Sequence, residues 1–182
     1  LAAGAAATVG ARDASRARRD VFDRLQALLE RVNADLNGLI RDDANLKGAA
    51  ATATVLVMGA DGVFLAHVGD TRAYVLRDGV LERLTEDHTM ANEMVRAGRI
   101  SPEEVSNYRF RHVVSRSLGP QPTVQVDVAF VGTQPGDLLV LCSDGLTDHA
   151  AETDIVRVLR EGGVMRPAAR LDRKSTRLNS RH

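Results

Sequence analysis

The chain has 182 residues, 44% of them hydrophobic and 26% charged, with a formal net charge of zero. That is enough for one domain with a real core. The neutral balance points away from nucleic acid and anionic membrane surfaces, and no apolar run approaches the ~20 residues of a membrane span. The single cysteine, Cys142, excludes an internal disulfide and fits a reducing, cytoplasmic setting.

In chain order, Val21, Leu25, Leu28, Leu29, Val32, Leu36, Leu39 and Ile40 fall at helical spacing, with Arg24, Glu30, Arg31 and Asp35 between them. This predicts an amphipathic helix from near Asp13 to near Asp42. Two β-rich runs in "TATVLVMGADGVFLAHVGD" flank the turn signature Gly59-Ala60-Asp61-Gly62, and "RAYVLRDGVLERL" repeats the device around Asp78-Gly79. Three or four antiparallel strands are therefore expected to meander from Thr52 to Leu84. The stretch up to Gly119 is polar, charged and partly helical. Within it Ser101-Pro102-Glu103-Glu104 is a helix start, with serine as cap and acids in the first turn. "TVQVDVAFV" alternates like a half-exposed strand, and "LLVLC" reads as a buried one. "AETDIVRVLREGG" predicts a short helix closed by glycines. The order of helix, strands, helical insert, strands and helix argues for an α+β layered domain rather than a βαβ parallel sheet. The last stretch, "LDRKSTRLNSRH", holds one of only two lysines, Lys174, and breaks with the composition before it. It is read as a non-native tail over residues 172–182, with the folded part ending near Leu171.

Three acids stand at strand ends beside glycine: Asp70 in "HVGDTRAY", then Asp144 and Asp148 in "CSDGLTD". Strand ends can aim side chains at one point, and clustered carboxylates either raise a pKa or bind a cation. Oxygen ligands of this kind suit Mg²⁺ or Mn²⁺. On spacing alone, turn or cap acids of the Asx type are the favoured reading of Asp70 and Asp148. Other chemistries find less support. Cys142 has Asp148, not an arginine, where a cysteine phosphatase loop would hold phosphate, and reads as a core cysteine. Ser143 lacks the glycines of a nucleophile elbow. The five histidines show no close pair at zinc-like spacing, and His67 reads as a hydrogen-bonded core residue.

The segments "ATATVLVM", "VFLAHVGDTRAYVLRDGVLERLTEDHT", "AGRISPEE", "HVVSRSLG" and "GDLLVLCSDGLTD" follow one another in this order. Together they closely resemble the bacterial PP2C-type (PPM) serine/threonine phosphatase family, over roughly residues 13–163. The resemblance implies a four-layer αββα sandwich of two antiparallel sheets flanked by helices. It implies two or three Mn²⁺ or Mg²⁺ ions held by strand-end carboxylates, and a metal-activated water that attacks phosphoserine or phosphothreonine with no protein nucleophile. Asp144 matches the ligand aspartate of the family's "SDG" motif. Asp70 and Asp148 match aspartates of a further, weaker metal position.

By the same resemblance, residues of about 89–118 correspond to a flap-like insert beside the cleft. Its Arg109, Arg111 and Arg116 could meet an acidic phosphopeptide or equally be solvated surface; surface is the favoured reading for Arg109 and Arg111, and Arg116 is the substrate-binding candidate. The implied partners are a phosphoprotein substrate and a serine/threonine kinase or its targets. The family's initial "DGMGGH"-like turn and final "GGxDN" turn find no counterpart, and Asp172 in "LDRK" does not fill the latter role. The chain is accordingly expected to be a domain truncated at both ends and inactive as it stands. The alternative is a catalytically dead phosphatase-like binding or regulatory module.

Overall fold

The alanine-rich start of the chain continues straight into the amphipathic segment, with no glycine or proline pair to stop a helix. The computed structural model describes residues 2–162, with side chains from Ser15 to Glu161. Its first helix, α1, spans Ala2–Asp42, so it begins well before Asp13 while ending where the periodicity predicts. The tail at 172–182, Asp172, Lys174 and the closing Gly163 lie outside the described residues. Among the described residues no helix is long and apolar enough to cross a membrane.

Among the described residues, six strands form two antiparallel three-stranded sheets. They are β1 (Ala53–Met58), β2 (Gly62–Val68), β3 (Arg72–Arg77), β4 (Val80–Arg83), β5 (Asp127–Gly132) and β6 (Leu138–Cys142). One sheet has the order β1-β2-β5 and the other β4-β3-β6. The single meander expected from Thr52 to Leu84 is therefore corrected. Strand β2 pairs with β1 on one side and β5 on the other, which leaves β3 no edge to join. Gly69, with φ of 113°, turns the chain out of the first ladder. The described residues fall accordingly into two compact units. One joins the residues up to Val68 with Ser117–Gly132; the other joins Gly69–Arg116 with the residues from Thr133 on.

In the first unit, Leu25 and Leu29 of α1 pack with Phe64, Ala66, Val68, Leu118 and Val126. Leu28, Val32 and Leu39, counted in the same apolar stripe by spacing, are instead exposed. The buried line passes through Asn33, whose side chain bonds the Gly119 N–H and the Gln121 carbonyl. Phe64 stacks against Phe22 and Phe130, and the Arg18 guanidinium lies 4.0 Å over the Phe130 ring. His67 is buried, with Nδ1 2.9 Å from Thr54 Oγ1, as a hydrogen-bonded core residue should be. Strand β5 starts at Asp127 rather than Thr123, because β2 ends at Val68 and offers no ladder to the earlier residues.

In the second unit, Asp78 and Gly79 both have positive φ, 50° and 84°, the backbone of a two-residue type I′ hairpin between β3 and β4. Helices α2 (Met90–Arg96), α3 (Asp144–Thr147) and α4 (Glu152–Gly162) follow. Ile155, Val158 and Leu159 of α4 cover Leu76, with Leu138 and Val140 of β6 packed beside them. Strand β6 is thus half-buried rather than fully buried as expected. Its alternate residue Leu141 is 51% exposed, because among the described residues β6 is the last strand of its sheet and α4 packs on the opposite face. The predicted start at Ser101 opens a 3₁₀ helix, Pro102–Asn107, in which the Glu104 carboxylate accepts from the Ser101 N–H at 2.7 Å.

Candidate metal centre

Asp70 owes its place to the residue before it. The Gly69 N–H donates to His88 Nδ1 at 3.0 Å, and the His88 N–H donates to the Gly69 carbonyl at 2.8 Å. The chain can then leave β2 and enter β3 with Asp70 and Thr71 between them. Burial pushes the Asp70 carboxyl above its ordinary range, and the neighbouring Asp144 charge raises it further.

Asp144 and Asp148 come from the turn after β6. Ser143, in extended conformation, stands at the cap position, and Asp144 is the first residue of α3. One helical turn returns Asp148 alongside it, with the Asp148 N–H donating to the Asp144 carbonyl at 2.8 Å. Thr147 Oγ1 donates to the same carbonyl at 3.1 Å. This turn is tied to β3 by Arg72, whose guanidinium reaches Thr147 Oγ1. The same guanidinium clamps Asp87, with Nε 3.1 Å from both carboxylate oxygens and a terminal nitrogen 2.6 Å from Oδ2. Arg83 of β4 also pairs with Asp87.

The structure brings a third group to Asp144 and Asp148: His112. One donor atom from each of the three lies within 4.8 Å of the others. His112 Nδ1 is 3.7 Å from Asp148 Oδ2. A cleft of about 690 Å³ in this unit is lined by Asp70, Arg72, Arg83, Asp87, Arg111, His112, Asp144, Asp148 and His149, among others. Asp70 thus shares the cleft with the other two acids. Arg116 is half-buried and is not among its lining residues, whereas Arg111 is. Cys142, opposite Arg72 in the ladder, is half-buried, and burial pushes its thiol up, away from nucleophilic chemistry.

The donor set fits a hard or borderline divalent cation. Three carboxylates and an imidazole offer oxygen and nitrogen ligands with no thiolate among them. The electrostatic disfavour at Asp70 is what a bound cation would relieve. His112 has no second histidine at short spacing, so no pattern in the sequence marks it as a ligand. It does open the "HVVSRSLG" segment, which was the available signal. Arg72 and Asp87 likewise lie inside the "DTRAY" and "EDHT" stretches without their pairing being readable there.

A profile of the family described as Protein phosphatase 2C matches residues 9–177. The serine/threonine phosphatase stp of Listeria monocytogenes is 37% identical over 136 residues, which cover 75% of this chain and 54% of that protein. The serine/threonine protein phosphatase PstP of Mycobacterium tuberculosis is 32% identical over 155 residues, 84% of this chain and 29% of that one. Its crystal structure matches with a TM-score of 0.74, at 32% identity, covering 80% of this chain and 61% of the other. Stp1 from Staphylococcus aureus matches with a TM-score of 0.79 at 28% identity, covering 87% and 63%. The PstP catalytic domain has also been solved in complex with 2 manganese ions, and matches with a TM-score of 0.65 at 32% identity, covering 80% of this chain and 60% of that one. The chain spans about half the length of the Listeria relative and less than two thirds of each of these solved chains. With an α+β fold of two antiparallel sheets, ordered motifs and a match over nearly its whole length, the chain belongs to the Protein phosphatase 2C family of serine/threonine phosphatases.

Proposed function

We propose that the whole protein hydrolyses phosphoserine and phosphothreonine in proteins, with Mn²⁺ or Mg²⁺ bound in the cleft that holds Asp70, Asp144 and Asp148. The observation that carries this reading is the convergence of Asp144, Asp148 and His112 within 4.8 Å in a cleft shared with Asp70. Bound ions supply a water of lowered pKa and offset charge on the phosphoryl oxygens. The chain's own residues do the positioning. Asp144 and Asp148 present carboxylates from one helical turn, Arg72 holds that turn through Thr147, and the His88 contact fixes the approach to Asp70. Arg111 offers a cation in the cleft wall to a phosphoryl group or an acidic flank of the substrate, whereas Arg116, the candidate from the sequence, is not among the residues that line the cleft.

The four-layer αββα arrangement, the cytoplasmic setting, and a partnership with a serine/threonine kinase or its targets belong to the same proposal. It is supported by the family membership and, for the setting, by the single cysteine. Of the four aspartates among the described residues that line the cleft, Asp87 is engaged by Arg72 and Arg83, which leaves Asp70, Asp144 and Asp148, with the His112 imidazole close to the last two, a set suited to one ion rather than a bridged pair. The 182-residue chain by itself is therefore proposed to bind a divalent ion without appreciable turnover.

The test is Mn²⁺-dependent phosphate release from phosphoserine and phosphothreonine peptides by the whole protein, compared with its Asp144→Asn variant. A loss of at least about tenfold in the variant is expected. Unchanged turnover in the variant refutes the assignment. Tight phosphopeptide binding without phosphate release by the whole protein favours a binding module instead.

A further inference from the structure

The insert between β4 and β5 brings to Asp144 and Asp148, at the start of α3 and just past its end, one side chain that the oxygen-ligand scheme does not use. His112 follows the 3₁₀ helix Pro102–Asn107, in a turn closed by bonds from the Arg111 N–H to the Tyr108 carbonyl and from the Val113 N–H to the Phe110 carbonyl, both at 3.1 Å. Just beyond it the backbone is fixed. Met90 N–H donates to the Val113 carbonyl at 2.8 Å, Val114 bridges Thr89, and Ser115 N–H donates to the His88 carbonyl at 2.8 Å. His112 therefore sits one residue outside an anchored segment, with its ring directed to Asp148.

We propose that His112 is a nitrogen ligand to the divalent ion held by Asp144 and Asp148, and that it makes this position select Mn²⁺ over Mg²⁺. The inference rests on the metal-dependent reading above. The distance accommodates a shared ion. At 3.7 Å, His112 Nδ1 and Asp148 Oδ2 are too far apart for a hydrogen bond. Two ligands of one octahedral ion with bonds of about 2.1–2.2 Å stand roughly 3.0 Å apart when adjacent and about 4.3 Å when opposite. The observed separation lies between these limits, and the 4.8 Å span of the three donors needs only a small closure onto one ion. The chemistry supplies the selectivity. Mg²⁺ is the smaller, harder ion and gives up its waters reluctantly, whereas Mn²⁺, though the weakest nitrogen binder of the first-row series, exchanges a water for imidazole more readily, so a nitrogen donor adds more to Mn²⁺ than to Mg²⁺. The ligand also arrives on the insert rather than the sheet, so ion binding and the position of the insert become coupled.

The experiment is pulsed electron paramagnetic resonance of Mn²⁺ bound to the 182-residue chain, read for ¹⁴N modulation, with calorimetric titration of Mn²⁺ and Mg²⁺. His149→Gln serves as a control because His149 lines the same cleft. Nitrogen modulation is expected in the unaltered chain and in His149→Gln, and is expected to vanish in His112→Ala. His112 is exposed, so its removal leaves packing intact. Mn²⁺ affinity should fall at least about tenfold in His112→Ala, with a clearly smaller change for Mg²⁺. Bound Mn²⁺ without nitrogen modulation, modulation that persists in His112→Ala, or equal losses for both ions overturns the proposal and leaves the metal-dependent reading standing. Absence of Mn²⁺ binding to the unaltered chain overturns the proposal and the reading that this chain alone holds an ion, while the hydrolase reading is judged by phosphate release from the whole protein.

Discussion

The imidazole of His88 accepts a hydrogen bond from the backbone N–H of Gly69, while its own backbone N–H returns to the Gly69 carbonyl. Because Nδ1 is the acceptor, the ring proton sits on Nε2. His88 is 1% exposed. His88→Ala would leave the Gly69 N–H without its acceptor and open a cavity, destabilising the chain by about 2–4 kcal/mol. The urea midpoint measures this. The Mn²⁺-induced rise in melting temperature should shrink as well, because Asp70 follows the displaced residue. An unchanged midpoint would show the reciprocal pairing to be dispensable.

Asp87 is shared by Arg72 and Arg83 and is nearly inaccessible to solvent. Asp87→Ala should destabilise by roughly 3 kcal/mol, since it leaves a largely buried guanidinium unpaired. Combining it with Arg72→Met should restore part of the loss. A double-mutant cycle that gives simple additivity would contradict the pairing.

Arg77 and Asp137 tie β3 to the turn before β6, with nitrogen–oxygen distances of 3.0 and 2.6 Å. The Arg77 hydrogen bonds, and a further one from the Gln134 N–H, hold the Asp137 carboxyl below its ordinary value of 3.8. A carboxylate whose pKa is lowered on folding contributes stability above its unfolded pKa and loses it as pH falls through the folded one. Asp137→Asn should therefore lower the melting temperature at pH 7, with the gap closing as pH drops below about 3.8. A gap independent of pH would rule out the ionic contribution.

Asn33 lies at 0% exposure on the face of α1 that packs on its sheet, a position where spacing alone would favour leucine. Asn33→Leu should nevertheless destabilise by about 2–4 kcal/mol, because it orphans the Gly119 N–H and the Gln121 carbonyl. Gly119→Ala should destabilise by about 1–3 kcal/mol. Its φ of 107° disfavours any side chain, and a Cβ would stand 2.8 Å from Ile40 Cδ1. Chemical denaturation of both variants is the check, and a stabilised Asn33→Leu would reverse the reasoning.

What could be read from the sequence was local. The Asp78-Gly79 turn, the Ser101 helix start, α4 and the end of α1 depend on neighbours within a few residues, and all appear where turn chemistry and spacing place them. What could not be read depends on partners far along the chain. Whether β3 joins β2 is settled by β5, some sixty residues later, taking the β2 edge. The exposure of Leu28 and Leu141 depends on which face meets another element. The acids Asp70, Asp144 and Asp148 were legible as strand-end carboxylates, and the family resemblance singled them out. His112 was not, because its approach is fixed by a backbone bridge to Thr89 with no pattern of its own.

Cys142 carries a practical consequence. It is the chain's sole sulfhydryl, and burial beside the Arg72 register position keeps its thiol protonated at neutral pH. Alkylating reagents attack the thiolate, so the folded chain should label slowly and the unfolded chain fast. The rate of iodoacetamide incorporation, followed by mass spectrometry, would then report how often β6 detaches from β3, with no engineered probe.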